Sequence, residues 1–210
     1  DQTNNNTENF VDAVATLAPS PAYALYHRAT LLYWLGRQDE ALAVWTALVA
    51  RYDVPGLART VADAYGRGKV AIALDSSINL YRRALEENPT DAAVYYALDD
   101  LYEKSANIHD RRELLERGHR RFPSDDELTV RLARYFANRT WYDKAAKTFE
   151  SHKFHRTHQS RQLVGMAQRV IEITYSGLAA SALRAGAKAK ALRYLKLASQ
   201  APETIKKWFD

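Results

Sequence analysis

A spacing of 34 residues recurs along the chain, and it restricts the possible folds more than any other feature of the sequence. Pro89 and Pro123 lie 34 residues apart, as do Tyr81 and Leu115, and Phe149 follows Leu115 by the same interval. Within each interval, apolar residues recur at the three- and four-residue spacing of an amphipathic helix. A helical unit of this size cannot bury its apolar face alone, so each unit has to pack against its neighbour.

The stretch WLGRQDEALAVW, residues 34–45, shows how one unit is built. Gly36 interrupts the helical pattern, as expected for a helix stop that needs a left-handed backbone conformation. Asp39 is a candidate cap for the next helix. In that helix the small Ala41 allows close backbone approach, and the bulky Trp45 fills the space beyond. The stretch predicts two antiparallel helices joined by a short turn, with Trp45 buried between them.

Further hairpins of this kind follow in register. LYRRALEENP, LLERGHRRFP, YDKAAKTFE and AGAKAKALRYLKLASQAP repeat a pattern of small and large residues, which resembles that of tetratricopeptide repeats (TPRs). The resemblance implies an all-α fold, a right-handed α-α superhelix in the form of a TPR-like solenoid of about five hairpins. The predicted segments are a cap helix in residues 1–20, hairpins at about 22–55, 56–89, 90–123, 124–151 and 172–203, and an insertion at 152–171.

Composition excludes several other classes of protein. The chain is 47% hydrophobic and 26% charged, which favours a globular protein over a disordered one. It has no cysteine, so disulfides and thiolate metal sites are excluded, and a cytoplasmic location is compatible with that. No apolar run reaches the roughly 20 residues of a membrane span. The polar start DQTNNNTENF lacks an initiator methionine, so we expect a processed form or a fragment of a larger protein.

Longer stretches resemble one particular group of repeat proteins. They run from ALYHRATLLYWLGRQDEALAVW through ARTVADAYGRG, LYRRALEENPTDAAVYYALDDLYEK and SDDELTVRL to ESHKFH. There the sequence is similar to the repeat region of large bacterial proteins that carry a β-sandwich domain of unknown function, of carbohydrate-active type, ahead of TPRs. The resemblance implies an accessory role within such a protein as one interpretation of the function.

Individual positions match that group unevenly. Arg59 matches an arginine that the group favours, whereas Thr60 stands in place of its usual asparagine. Asp99 matches an acidic position and Arg111 a basic one. After FH the group continues with a Trp-Glu-Gly-Gly-Glu-like run, but residues 156–161 here are RTHQSR. A binding role of that loop therefore does not carry over to this chain.

The two halves of the chain differ in charge. Residues 1–105 hold 9 basic and 14 acidic side chains, a net charge of −5, whereas residues 106–210 hold 21 and 11, a net charge of +10. A basic half can attract nucleic acid or another anionic partner. However, no run of Lys and Arg exceeds three residues and no nucleic-acid-binding motif is present. Solvated helix faces, or a contact with a missing acidic domain, are therefore favoured over a nucleic-acid surface.

Three histidines stand three residues apart in HKFHRTH, namely His152, His155 and His158. On a helix they would share roughly one face, and neutral imidazoles bind zinc or nickel. HKFHRTH itself contains no carboxylate or cysteine to complete a tetrahedral site. We therefore expect residues 152–160 to form an irregular polar connection that binds no metal tightly. The remaining histidines are interpreted as structural or surface groups: His27, His109 and His119.

The acidic pair Asp99 and Asp100 is the other candidate for chemistry. Asp99 falls where a small residue usually meets the second helix of a hairpin, so its carboxylate needs a partner, for which Arg111 or Arg112 is the obvious candidate. A structural ion pair is favoured over a catalytic acid.

The GRG at 66–68 lacks the Lys-Ser/Thr of a phosphate loop. The sequence therefore predicts no enzyme, no catalytic residue, no metal site and no cofactor.

The first helix of each hairpin lines the concave surface in repeats of this type. The side chains predicted to face it are Tyr23, Tyr26, Thr30, Tyr33 and Trp34 in the first hairpin, Tyr96 in the third, and Arg131, Arg134 and Asn138 in the fourth. Aromatic rings at such positions suit a hydrophobic or extended peptide, or a sugar stacked on the rings. Alternatively, the rings pack on residues 1–17 or on a missing domain.

The function predicted from the sequence is that of a non-catalytic protein–protein interaction scaffold. Its concave face would bind a peptide segment or a neighbouring domain of the same chain. The alternative is an accessory repeat domain of a larger bacterial carbohydrate-active protein. Nucleic acid is a disfavoured partner, and no membrane span is expected.

Overall fold

The structure is a computed structural model that describes four stretches of the chain: residues 21–52, 56–67, 74–155 and 161–209. The chain divides into two compact units, Asp1–Ala106 and Asn107–Asp210. Every regular element among the described residues is an α-helix, so the predicted all-α fold class is confirmed. The predicted cap helix in residues 1–20 and His158 lie outside the described residues.

Eleven helices are present in the described stretches. Those of the first unit are α1 (Pro21–Trp34), α2 (Gln38–Arg51), α3 (Leu57–Arg67), α4 (Leu74–Glu87) and α5 (Ala92–Lys104). Those of the second unit are α6 (Ile108–Arg121), α7 (Asp126–Asn138), α8 (Tyr142–Glu150), α9 (Arg161–Arg184), α10 (Lys188–Ser199) and α11 (Ala201–Phe209). Within each unit, helices that follow one another in the chain pack together. None of these helices combines the length and apolar composition needed to cross a membrane.

The first hairpin, α1 and α2, is built around a small residue and a large one. Ala41 is completely buried, and Trp45, one turn further along α2, is 3% exposed. The Trp45 ring lies 5.6 Å from that of Tyr33 on α1, centroid to centroid. The predicted burial of Trp45 within its hairpin is therefore confirmed.

One detail of that hairpin differs from the prediction. The α2 helix begins at Gln38 with Arg37 as its N-cap residue, and no side chain caps it. The predicted capping role of Asp39 is therefore wrong. Its carboxylate lies instead in the first turn of α2, where the positive end of the helix dipole favours an anion.

A left-handed residue stands two positions after the first helix of several hairpins. Gly36 follows α1 with φ of +80° and Gly186 follows α9 with φ of +74°. Ala106 follows α5 with φ of +54° and Thr140 follows α7 with φ of +61°. The turn thus demands the same backbone conformation each time, although only two of these residues are glycine. A side chain with a Cβ is strained in this conformation.

The second unit is arranged around α9. This 24-residue helix packs against α7, α8, α10 and α11. The Tyr175 hydroxyl donates a 2.6 Å hydrogen bond to Glu150 at the end of α8, and burial together with that carboxylate raises the pKa of Tyr175. At the chain end, Trp208 of α11 stacks on Phe154, with ring centroids 4.3 Å apart.

The segment predicted as an insertion at 152–171 has two parts in the structure. Residues 152–155 form no helix, in agreement with the expected irregular connection, and 156–160 lie outside the described residues. Residues 161–171, by contrast, belong to α9, so the predicted start of the last hairpin at residue 172 falls inside a continuous helix. The reason is an apolar stripe: Leu163, Ala167, Val170 and Ile171 are all buried.

Replacement of Trp45 tests the packing of the first hairpin. Trp45→Ala should lower the free energy of unfolding by about 3–5 kcal/mol, because it opens a cavity in the core. Trp45→Phe should cost less than about 1.5 kcal/mol, because it keeps most of the ring. It also removes an indole N–H that has no hydrogen-bond partner among the described residues. Urea unfolding followed by circular dichroism measures both, and a loss below about 1 kcal/mol for the alanine variant would contradict the assignment.

Replacement of Thr140 tests the turn. Thr140→Gly should raise the free energy of unfolding by up to about 1 kcal/mol, because relief of left-handed strain exceeds the added flexibility of the unfolded chain. Gly36→Ala is the matched control and should lower it by about 1 kcal/mol, because it introduces that strain. Thermal and urea unfolding measure both variants. Equal destabilisation by the two changes would show that the conformation of the turn does not limit stability.

Candidate functional site

An aromatic stripe follows one face of α1. We define it as Tyr23, Tyr26, Tyr33 and Trp34, whose intervals of three, seven and one residues keep them on one side of a helix with 3.6 residues per turn. The rings at its two ends are the most accessible, since Trp34 is 80% exposed and Tyr23 50% exposed. Ala24, Ala29 and Leu32 are buried on the opposite side of α1. The core of the hairpin therefore leaves the ends of the stripe outside.

The two middle rings of the aromatic stripe take part in packing within the protein. Tyr26 and Tyr33 are half-buried, and Tyr33 contacts Trp45. The His27 ring makes edge contacts with Tyr23 and Tyr26 at 4.2 and 5.5 Å between centroids. These contacts hold the rings in place beside the two exposed ends.

Thr30 occupies the same face, but its hydroxyl is used within the helix. It donates a 2.8 Å hydrogen bond to the carbonyl oxygen of Tyr26. Of the five side chains predicted for this face, the structure therefore leaves Tyr23 and Trp34 as the most available to a partner.

The remaining predicted site residues are in different surroundings. Tyr96 is half-buried on α5. Arg134 is half-buried and Asn138 exposed on α7. Arg131, on the same face of α7, is only 8% exposed, and its Nε and Nη2 atoms donate to Glu127 at 2.9 and 2.7 Å. The Arg131 guanidinium is therefore buried in an ion pair, and its role in ligand binding stays a prediction.

Arg59, which matches an arginine of the bacterial repeat group, is part of a structural network in the first unit. Its Nε atom donates to Asp63 at 2.9 Å, and its Nη1 atom is paired with Asp91, the N-cap residue of α5. Asp63 also accepts a 2.7 Å hydrogen bond from the Tyr81 hydroxyl on α4. The arginine thus connects α3 with the start of α5, which accounts for its presence without a ligand.

The predicted ion pair of Asp99 stays a prediction. Asp99 is completely buried and Arg111 is 8% exposed. The Arg111 guanidinium lies over the Tyr135 ring, 6.0 Å from its centroid. Arg112 donates to Glu116 at 2.9 Å and lies over Trp141 at 5.3 Å.

A cluster of histidine and carboxylate groups forms where α7 begins. Asp126, in the first turn of α7, is 6% exposed and faces the irregular segment 152–155. His152 Nε2 lies 2.7 Å from Asp126 Oδ1, and His155 Nδ1 lies 3.2 Å from the same oxygen. The backbone N–H of His155 donates to Asp126 Oδ2 at 3.1 Å. We call these three residues the Asp–His cluster.

A buried hydroxyl lies behind the Asp–His cluster. Thr129 is completely buried, and its Oγ1 atom lies 3.1 Å from His152 Nδ1 and 3.3 Å from His119 Nδ1. The hydroxyl also donates to the carbonyl oxygen of Asp125 at 2.8 Å. Burial and the nearby His152 lower the pKa of His119, against the opposing effect of Asp125.

Sequence reasoning missed the carboxylate of this cluster. Asp126 precedes His152 by 26 residues, so the two are not neighbours in the sequence. A helical hairpin, however, returns the end of its second helix to the start of its first. The predicted hairpin at 124–151 contained this signal, because it placed residue 152 directly beyond the end of the hairpin that begins near Asp126.

Comparison with known proteins identifies the fold. No family model matches the chain, and no curated protein matches it. Among solved structures, the chain is similar to YrrB, described as a TPR protein with an unusual peptide-binding site, with a TM-score of 0.56 and 15% identity over 93% of both chains. It is also similar to MamA, with a TM-score of 0.53 and 15% identity over 86% of this chain and 91% of that one. A second MamA structure gives a TM-score of 0.51 and 18% identity over 87% and 97% of the two chains.

These likenesses cover most of the chain, and the repeated hairpins described above match the 34-residue repeat predicted from the sequence. The chain therefore has the all-α fold of tetratricopeptide-repeat proteins.

Proposed function

We propose that this chain is a non-catalytic interaction scaffold and that the aromatic stripe of α1 binds a peptide segment of a partner protein or of a neighbouring domain. The observation that carries the proposal is the exposure of Trp34, which is 80%, together with that of Tyr23, which is 50%. Large aromatic side chains are costly to leave in water, and they are enriched at the centres of protein interfaces. The likeness to YrrB, whose description names a peptide-binding site, supports the same class of function.

The spacing of the two exposed rings restricts the ligand. Trp34 follows Tyr23 by eleven positions, which corresponds to about 16 Å along a helix. An extended peptide covers that distance in roughly five residues. We therefore expect a segment of at least five residues with an apolar side chain near each end, which lies along α1.

Selection from a random peptide library tests this proposal, because it does not require an identified partner. Peptides selected on the wild-type chain should share two apolar positions about four to five residues apart. Tyr23→Ala and Trp34→Ala should each weaken their binding roughly 30-fold, which corresponds to about 2 kcal/mol per interface anchor. Fluorescence anisotropy of labelled peptides measures the affinities.

Leu192→Ala is the matched control. Leu192 is 70% exposed and belongs to the second unit, so its loss removes apolar surface elsewhere. It should leave peptide affinity unchanged, and thermal melts should show that all three variants remain as stable as the wild type. Unchanged peptide affinity in both aromatic variants would reject the stripe as the binding site. A large loss of stability in both would assign the rings to packing.

The alternative function, an accessory repeat domain of a carbohydrate-active protein, is implied by the sequence resemblance and can be tested at the same surface. An exposed indole face such as that of Trp34 can stack on a sugar ring. Oligosaccharide arrays probed with the wild type and with Trp34→Ala distinguish the two functions. Glycan binding that Trp34→Ala abolishes, in the absence of any selected peptide, would favour the carbohydrate function.

A further inference from the structure

We propose that the Asp–His cluster, Asp126, His152 and His155, is a binding site for one divalent zinc ion. Each residue offers one ligand atom, and these three atoms lie within 4.8 Å of one another. Two imidazole nitrogens and one carboxylate oxygen form a donor set that suits zinc and leaves a fourth position for water. The site is independent of the aromatic stripe, because it lies in the second unit.

Two of the three distances between the ligand atoms come close to those around a tetrahedral ion. Ligand atoms about 2.0–2.1 Å from a tetrahedral zinc are about 3.3 Å apart. The 3.2 Å between His155 Nδ1 and Asp126 Oδ1 matches that value. The 2.7 Å between His152 Nε2 and Asp126 Oδ1 is a hydrogen bond. Zinc would replace the hydrogen of that bond, and the two atoms would have to separate by about 0.6 Å.

The hydrogen bonds behind His152 are arranged as a metal-binding histidine requires. The Thr129 hydroxyl donates to the carbonyl oxygen of Asp125, so its Oγ1 atom can accept from His152. Nδ1–H of His152 can therefore donate to Thr129 while its Nε2 lone pair faces Asp126 and the metal. A partner of this kind on the second ring nitrogen fixes the tautomer of a metal-bound histidine. His119, the other neighbour of Thr129, donates to the same oxygen in this arrangement.

The surroundings of the cluster also suit a cation. The Asp126 carboxylate is 5% exposed and the His152 side chain 2% exposed, so two of the ligands are shielded from competing water. His155 is 52% exposed and leaves an approach from solvent. Within this site zinc would link α7 to the segment 152–155, whose Phe154 packs on Trp208.

Metal titration tests the site directly. The chain, freed of metal with a chelator, should bind one Co²⁺ with the visible absorption of a four-coordinate site, and Zn²⁺ should displace it with equal stoichiometry. His155→Ala should weaken Zn²⁺ binding at least about tenfold, as should Asp126→Asn. Lower pH should weaken binding to the wild type, because imidazole ligands must lose their protons. Competition with a zinc-binding dye measures the affinities.

His109→Ala is the matched control, because it removes an 81% exposed imidazole of the same unit that lies outside the cluster. It should leave Zn²⁺ affinity unchanged. His155→Ala should remain folded, because that side chain is half-exposed, and its melting temperature without metal checks this. The absence of stoichiometric Co²⁺ or Zn²⁺ binding to the wild type would overturn the proposal. So would equal affinity in the wild type, His155→Ala and Asp126→Asn.

Discussion

In three of the hairpins, close approach of the two helices depends on one small buried side chain. Ala41 in α2, Ala145 in α8 and Ala191 in α10 occupy corresponding positions and are at most 1% exposed. A larger side chain there would push the helices apart and would remove the contact that the next large residue makes. Trp45 and Phe149 make that contact one turn later and are both 3% exposed. The packing of these hairpins therefore depends on a small side chain at one position.

This constraint explains why the sequence predicts the fold well and some of its boundaries poorly. The recurring small and large residues and the prolines at 89 and 123 predict the hairpins because packing determines both. The start of α9 is different, since a regular 34-residue period assigns residues 161–171 to an insertion. Its buried apolar stripe, which includes Leu163 and Ala167, shows that local amphipathicity outweighs the period there. Likewise, Asp39 fails as a cap because the turn geometry, and not the residue type, determines where α2 begins.

The candidate sites were predictable to different degrees for a similar reason. Helical spacing is enough to place Tyr23 and Trp34 on one exposed face of α1. The same spacing places Arg131 on a face of α7 but gives no information about Glu127, which holds the buried guanidinium. Helical spacing alone does not predict the Asp–His cluster. Its prediction also needs the three-dimensional arrangement of a hairpin, which brings the end of the second helix next to the start of the first. Spacing along one helix is a local property, whereas that arrangement joins residues 26 positions apart.

Hairpin closure places polar groups together in the first unit as well. The backbone N–H of Gly56, just before α3, donates a 3.0 Å hydrogen bond to Glu87 at the end of α4. Asp126 and His152 occupy the corresponding ends of the hairpin formed by α7 and α8. In both cases the groups lie beyond the helix–helix contact, so their chemistry can change without any change in the small and large residues that pack the hairpin. A repeat protein can therefore keep its fold while residues change at the ends of its hairpins. Residues can also change on the face of a first helix that points away from the core of its hairpin. The Asp–His cluster and the aromatic stripe lie at these two kinds of position.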